Sequence, residues 1–336
     1  MASYFIRRLL LIIPTFLGIT FMVFTITKFV PGGPVERAKM LAKAAGENGN
    51  KSSSSDGSDE QLSEEQIDDL KKKSGEDKTY LQWLGAFMKG DLGRSTRYNE
   101  PVGGIIASKV PISLFFGLFS MFLIYSICIP LGVIKALKHN SFFDNSSSLI
   151  VFFGYAVPGY ALGAILVVYC AGKWELFPLG NLVSQGFAEM SVWGKVKDLL
   201  WHAVLPLCCY LVGAFAFMTT MVQNSLMENM AADYVRTALS KGVKYKTSIF
   251  KHALDNSLIP IATTFGGNLT VMIGGSFLIE KVFNIDGMGL LGLSSIQERD
   301  YPVVMGILVI SSLCQLFGNI ISDFCVAMVD PRVKFD

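Results

Sequence analysis

Long apolar runs alternate with shorter polar ones along most of the chain, and the apolar runs have the length of membrane spans. Six of them stand out: Leu9–Val30, Ile112–Ile134, Leu149–Ala171, Ala203–Val222, Leu258–Ile279 and Val303–Met328. A helix of about 20 mostly apolar residues crosses a hydrocarbon layer about 30 Å thick. It also satisfies its own backbone hydrogen bonds, which lipid cannot do. The pattern therefore predicts an all-α polytopic membrane protein with six transmembrane helices. Pro14, Pro130, Pro158 and Pro206 lie inside or beside these runs and are expected to kink or end helices rather than abolish them. Gly159 and Gly163 form a GxxxG pair, and Gly266, Gly267, Gly274 and Gly275 add small faces for close helix packing.

The polar positions are concentrated in one block. Residues 31–109 hold 12 of the 29 Lys and Arg and 13 of the 27 Asp and Glu. Within it, Ala42–Glu60 reads as a linker by composition. Leu62–Leu70 then reads as a short helix, with Ser63 and Gln66 matching a capping box and Lys71–Lys73 suited to its end. A second amphipathic stretch, Tyr80–Met88, is expected to lie against the outer surface of the membrane part. The expected organisation is a start and first span over 1–30, an external loop over 31–109, and a five-helix core over 110–336 that carries an inside loop at 226–257.

Orientation follows from Lys and Arg in the short loops. With the amino terminus in the cytoplasm, the inside segments hold Arg7, Arg8, Lys135, Lys138, five basic residues between Arg236 and Lys251, and Arg332 with Lys334. The short outside loops hold only Lys173, Lys195, Lys197, Lys281 and Arg299. Both termini are thus expected inside. The run after Arg7-Arg8 is too long for a signal-peptide core and no Ala-x-Ala site follows it, so it reads as an uncleaved first span.

Composition agrees with this and excludes other classes. The chain of 336 residues is 51% hydrophobic and 17% charged, with mean hydropathy +0.45; soluble domains carry about 25% charged residues. A net charge of +2 gives no basic surface for nucleic acid. The six cysteines all fall in apolar stretches without zinc or redox spacing, so they read as small packing residues. His139, His202 and His252 are far apart, and the zinc-protease, nucleophile-elbow and P-loop patterns are all missing. No metal site or catalytic constellation is expected. Asp323 is the one ionisable residue well inside a predicted span. Such residues are functional candidates, although its place near the span's cytoplasmic end equally suits an interfacial structural role.

The informative inside segment is Ala231–Pro260. Its first part, Ala232-Asp233-Tyr234-Val235-Arg236-Thr237-Ala238-Leu239-Ser240-Lys241-Gly242, has helical periodicity with Tyr234, Ala238 and Val235 on one face. Gly242 ends it as a left-handed C-cap does. A second basic helix then leads to Asn256 and the next span. A solvated loop made basic by topology would look the same by periodicity alone.

At these residues the chain resembles the inner-membrane permeases of bacterial ABC importers, in the B-type subunits of the dipeptide and oligopeptide branch. That branch has a loop reading approximately Tyr-Val-Arg-Thr-Ala-Arg-Ala-Lys-Gly, followed by Asn-Ala-Leu-Ile-Pro. Here the loop is Tyr234-Val235-Arg236-Thr237-Ala238-Leu239-Ser240-Lys241-Gly242, with Asn256-Ser257-Leu258-Ile259-Pro260 downstream. Leu239 and Ser240 depart from the branch's usual Arg-Ala. The likeness covers nearly the whole chain, including Tyr4–Leu10 with Pro14, Pro31-Gly32-Gly33-Pro34-Val35, and Gly90-Asp91-Leu92-Gly93-Arg94-Ser95 with Pro101-Val102. It continues through Glu280, Phe283, Gly287–Leu290 and Arg299–Pro302 to the tail Asp330-Pro331-Arg332-Val333. The outer insertion, the Pro-Gly-Gly-Pro-Val exit and Ser322-Asp323 lean toward the Yej-type branch, which is associated with peptides and peptide-like antibiotics such as microcin C.

The resemblance implies a type I ABC importer permease fold in the bacterial inner membrane. It implies a peptide-transporting subunit, not an enzyme, that forms half of a pathway. Its partners would be a second homologous permease, ABC ATPase subunits that use ATP and Mg, and an extracytoplasmic substrate-binding protein. No cofactor would be held by this chain. Coupling to the ATPase falls to Asp233, Tyr234, Arg236, Thr237, Ala238, Lys241 and Gly242, and the external signature to Gly90, Asp91, Leu92, Gly93 and Ser95. The alternatives are a permease of the same family for a metal chelate or saccharide, and a passive channel, for which no ring-forming polar filter is visible.

Overall fold

The computed structural model describes residues 2–29, Glu36, Met40, Ile67, Lys71 and residues 77–329. The proline-glycine exit from the first span, the linker Ala42–Glu60, the capping-box helix at Leu62–Leu70 apart from Ile67, and the tail from Asp330 lie outside the described residues. The described chain is helical, and its one β feature is an isolated bridge between Arg94 and Pro101.

In chain order the helices are α1 (Ala2–Phe29), α2 (Tyr80–Met88), α3 (Val102–Leu137), α4 (Phe142–Ala156) and α5 (Gly159–Leu166), the last running on into a π turn at Val167–Lys173. Then come α6 (Val192–Ala231), α7 (Asp233–Ser240), a helical run over 245–257 with a π turn at Ile249–Ala253, α8 (Ile259–Gly274), α9 (Phe277–Val282), α10 (Met288–Gln297) and α11 (Tyr301–Val329). Among the described residues, four helices are long and apolar enough to cross a membrane: α1, α3, α6 and α11. The third expected span is a broken one. Pro158 caps α5, and α4 and α5 meet at 91°; counted as one, they make a fifth span. The fifth expected span, Leu258–Ile279, is the 16-residue α8, which stops at Gly274. At 1.5 Å per residue that gives roughly 24 Å, less than a full crossing. Pro14, Pro130 and Pro206 sit inside continuous helices, so only Pro158 ends one.

The chain divides into two compact units that do not follow chain order. One comprises Ile13–Val110 and Leu291–Ser312. In it, α2 lies on α1 through aromatic rings: Tyr80 packs edge-on against Phe21 and Phe24, and Phe87 against Phe16. Thr79 and Gln82 cap α2 reciprocally, which satisfies two backbone donors at its start. The other unit comprises Met1–Ile12, Pro111–Leu290 and Leu313–Asp336. There α6 is the spine against which α4, α5 and α7 pack. Small residues set these crossings. A side chain on Gly159 would meet the Cys209 carbonyl, one on Gly163 would meet Phe283, and one on Gly266 would overlap Gly318 of α11. The expected glycine faces therefore exist at 159, 163 and 266, whereas Gly267 and Gly274 border open space.

Candidate functional site

The first candidate site is α7. Ala232 leaves α6 in an extended conformation (φ −68°, ψ 149°), which turns a sharp corner before α7 begins. Its end is fixed by Gly242, whose φ of +85° is left-handed. The Gly242 N–H donates to the Leu239 carbonyl at 2.9 Å and the Val243 N–H to the Ala238 carbonyl at 3.1 Å. This pair of bonds is the Schellman arrangement, and a residue without Cβ adopts it at no steric cost.

One residue fastens α7 from below. Val235 is buried among Val222 and Leu226 of α6 and Ile249 and Ala253 of the π turn. Of the expected face, Val235 alone is buried: Tyr234 is 41% exposed and Ala238 half-buried. Tyr234 instead makes a lateral tie, its hydroxyl donating to Asn229 Oδ1 at 2.5 Å. The Asn229 amide in turn donates to the Ser225 carbonyl, and the Ser225 hydroxyl to that of Ser257. Asp233, Arg236, Thr237, Ser240 and Lys241 are left exposed. The result is a short stiff helix with a polar outer face and one apolar root.

The second candidate site is built in the other unit around Asp300, which is fully buried. Its carboxylate accepts from the Ser95 hydroxyl, from the Thr96 N–H at 3.2 Å and from the Arg97 N–H at 3.4 Å. Arg97 pairs with Glu298 at 2.8 Å, and Arg94 donates to the Asn99 carbonyl at 3.1 Å. Asp91 accepts the Gly93 N–H at 2.8 Å, holding a turn in which Gly90 and Gly93 are both left-handed. Leu92 is half-buried and touches the helix faces at Gly103 and Gly306. The two separate stretches Gly90–Ser95 and Arg299–Pro302 are therefore one structure, joined by Ser95 and Asp300.

Two polar clusters had no clear signal in the sequence. Glu280 of α9 is 1% exposed, and its carboxylate accepts the Leu290 N–H at the start of α10 at 2.7 Å. Gly275, Gly287 and Gly289 close around it. Burial pushes the Glu280 carboxyl above its ordinary 4.5, against the pull of the N–H groups of Leu290, Gly289 and Ser276 and the Ser113 hydroxyl. The second cluster is Lys135, Asp144 and Gln223. Lys135 counts in the sequence as a loop cation, yet it is 1% exposed at the end of α3. Its Nζ lies 2.9 Å from Asp144 Oδ1, and the Gln223 amide donates to the same oxygen at 2.9 Å. Among the described residues no group of three metal-ligating side chains is assembled.

Residues 128–335 match the family described as the binding-protein-dependent transport system inner membrane component. The chain belongs to that family. Over its whole length this permease is 36% identical to the inner membrane ABC transporter permease protein YejB of Escherichia coli O157:H7 and 35% identical to the peptidoglycan transport system permease protein YejB of Agrobacterium fabrum. It is 34% identical to the oligopeptide transport system permease protein AppB of Bacillus subtilis, again with all of both chains covered. As a member of this family with several apolar helices, the permease is a multi-pass inner-membrane transport subunit. The family implies ATP-hydrolysing and substrate-binding partners in general. Within the permease, α7, Lys135, Asp144, Gln223 and Glu280 all fall inside the matched region, and Gly90–Ser95 precedes it.

Proposed function

We propose that this permease forms half of the translocation pathway of an ATP-driven importer of peptides or peptide-like compounds, the other half being a second homologous permease. The relatives support the substrate class: besides the oligopeptide permease, a dipeptide transport system permease of Escherichia coli K12 is 30% identical with 99% of both chains covered. In this reading the chain crosses the membrane six times with both termini in the cytoplasm. The broken pair α4–α5 and the short α8 each count as one crossing. Residues 31–109 form an external loop and 226–257 the cytoplasmic coupling loop. No cofactor is held by this chain; ATP and Mg act in the partner subunits.

The observation that carries the proposal is the form of α7. An ATPase outside the membrane must move the membrane part through a rigid element. A two-turn helix with exposed Asp233, Arg236, Thr237 and Lys241, rooted by Val235 and stopped at Gly242, has the exposed face and the anchorage for that work. Tyr234 and Ala238 flank the root and set how α7 sits on α6. Gly90, Asp91, Leu92, Gly93 and Ser95 belong to the outer platform on which the binding protein docks.

Thr237→Cys in the assembled transporter tests the coupling role. We expect a short bifunctional thiol reagent to cross-link it to the ATPase subunit. Uptake of alanine peptides delivered by the binding protein tests the substrate class. Absence of any cross-link to the ATPase would refute the coupling role, and uptake of a saccharide or metal chelate in place of peptides would refute the substrate class.

A further inference from the structure

Lys135, Asp144 and Gln223 tie three helices together at the end of α6 nearest α7. Lys135 Nζ reaches Asp144 Oδ1, the Asp144 carbonyl at 3.1 Å, and the hydroxyls of Ser147 and Ser148 at 3.1 and 2.5 Å. Asp144 Oδ2 accepts the Asn140 N–H at 3.1 Å and faces His139 Nδ1 at 3.2 Å. Through Gln223 the cluster takes hold of α6, one turn before Leu226, which belongs to the same buried apolar cluster as Val235 of α7. The backbones are close here too: a Cβ on Gly132 would lie 2.7 Å from the Val222 Cβ.

A buried ion pair is a poor device for stability alone, because desolvating both charges offsets their attraction. What a fully bonded one provides is a defined geometry, and packed side chains and polar networks with discrete arrangements are the physical carriers of coupling between sites. The path runs from Val235 to Leu226 and Gln223, then to Asp144 in the first turn of α4. Farther along α4, the exposed rings of Phe152 and Tyr155 line one side of an open surface cavity of about 370 Å³, whose lining also includes Phe217, Thr220 and Asn224 of α6.

We propose that Asp144 is a positioning residue of the transport cycle: held by Lys135 and Gln223, it locks α4 to α6 so that displacement of α7 moves the aromatic wall of this cavity. The inference rests on the reading of α7 as the coupling helix.

The test uses the complete transporter in proteoliposomes, with alanine tripeptide delivered by the binding protein and ATP hydrolysis measured in parallel. Gln223→Met keeps the ion pair and removes only the tie to α6. Lys135→Met combined with Asp144→Leu removes both charges without leaving either buried alone. We expect both variants to assemble, to hydrolyse ATP at no less than half the wild-type rate, and to import about five-fold less peptide per ATP. An unchanged peptide-to-ATP ratio in both variants overturns the inference. So does a fall in import that merely follows a fall in ATP hydrolysis or assembly, because that is the signature of a structural role. If the wild type imports no tripeptide, the peptide reading falls. The inference is then scored by the ATP-dependent change in maleimide labelling of Phe152→Cys, which the variants must lose and which, if kept, overturns it.

Discussion

Arg8 and Asp323 form an ion pair of 2.6 Å between the first turns of α1 and the last turns of α11. Tyr4 adds its hydroxyl to the same carboxylate at 3.3 Å, and the Arg8 guanidinium lies over the Tyr4 ring. Asp323 is thus a partnered residue closing the two ends of the chain on one another. Arg8 is partly exposed, so the pair is worth little on its own, about 1 kcal/mol or less. Arg8→Asp or Asp323→Arg alone is expected to lower the melting temperature in detergent by a few degrees. The double reversal should recover most of it, and a double variant worse than both singles would refute the pairing.

Gly242→Leu asks a Cβ-bearing residue to hold the left-handed φ at the end of α7, at a local cost of about 1–2 kcal/mol. That is too little to prevent membrane insertion and enough to tilt a two-turn helix. Peptide uptake should fall at least ten-fold while membrane-inserted protein, measured by immunoblot, stays within about two-fold. Gly242→Asn, which tolerates this φ better, should keep more of the uptake.

Ser95→Ala removes one of the donors to buried Asp300, and Asp300→Ala removes the acceptor for all of them. Leaving such groups unpaired costs about 1–3 kcal/mol. Both variants should speed proteolytic cleavage within 94–101 and weaken docking of the binding protein, Asp300→Ala more strongly. Changes at Asp91 or Arg94 should follow the same direction, whereas deleting Ala42–Glu60 should leave uptake intact. Equal tolerance of all of these would separate the platform from docking.

Because burial raises the Glu280 carboxyl above 4.5, the folded chain holds this proton more tightly than the unfolded one. Stability must therefore fall as pH rises through the window between 4.5 and the raised folded value, and stay lower above it. Hydrogen exchange of residues 275–290 should slow as pH is lowered into that window, once intrinsic rates are divided out. Glu280→Gln should remove the dependence; if it persists in that variant, the sign belongs to another group.

The sequence carried the elements whose physics is local. Apolar run length marked α1, α3, α6 and α11, and the glycine at 242 marked the end of α7 with its conformation. What it missed depends on distance. Nothing in the spacing of Ser95 and Asp300, 205 positions apart, says that they touch, and Lys135 looks like any loop cation until Asp144 is folded against it. Pro158 signals a kink or a helix end in the sequence, whereas the size of the bend, 91°, is set by how α4 and α5 pack on α6. Of the face Tyr234, Val235 and Ala238, only Val235 roots α7, because the extended Ala232 sets how the helix is rotated after leaving α6, a turn that periodicity within α7 cannot report.

The glycines around Glu280 have a consequence for how this chain can change over generations. A Cβ on Gly275 would overlap the Glu280 carboxylate, one on Gly287 would lie 2.7 Å from its carboxyl carbon, and one on Gly289 would lie 2.6 Å from the Phe277 nitrogen. At 287 the obstacle is the carboxylate itself, so that position opens to larger residues once Glu280 has been replaced by something smaller, whereas Gly275 also has a left-handed φ of +65° and the Gly289 nitrogen 3.0 Å from its Cβ position. At 289 the obstacle is backbone, and no change at 280 removes it. The descent of this corner is therefore ordered: position 280 moves first, 287 follows, and 275 and 289 stay glycine.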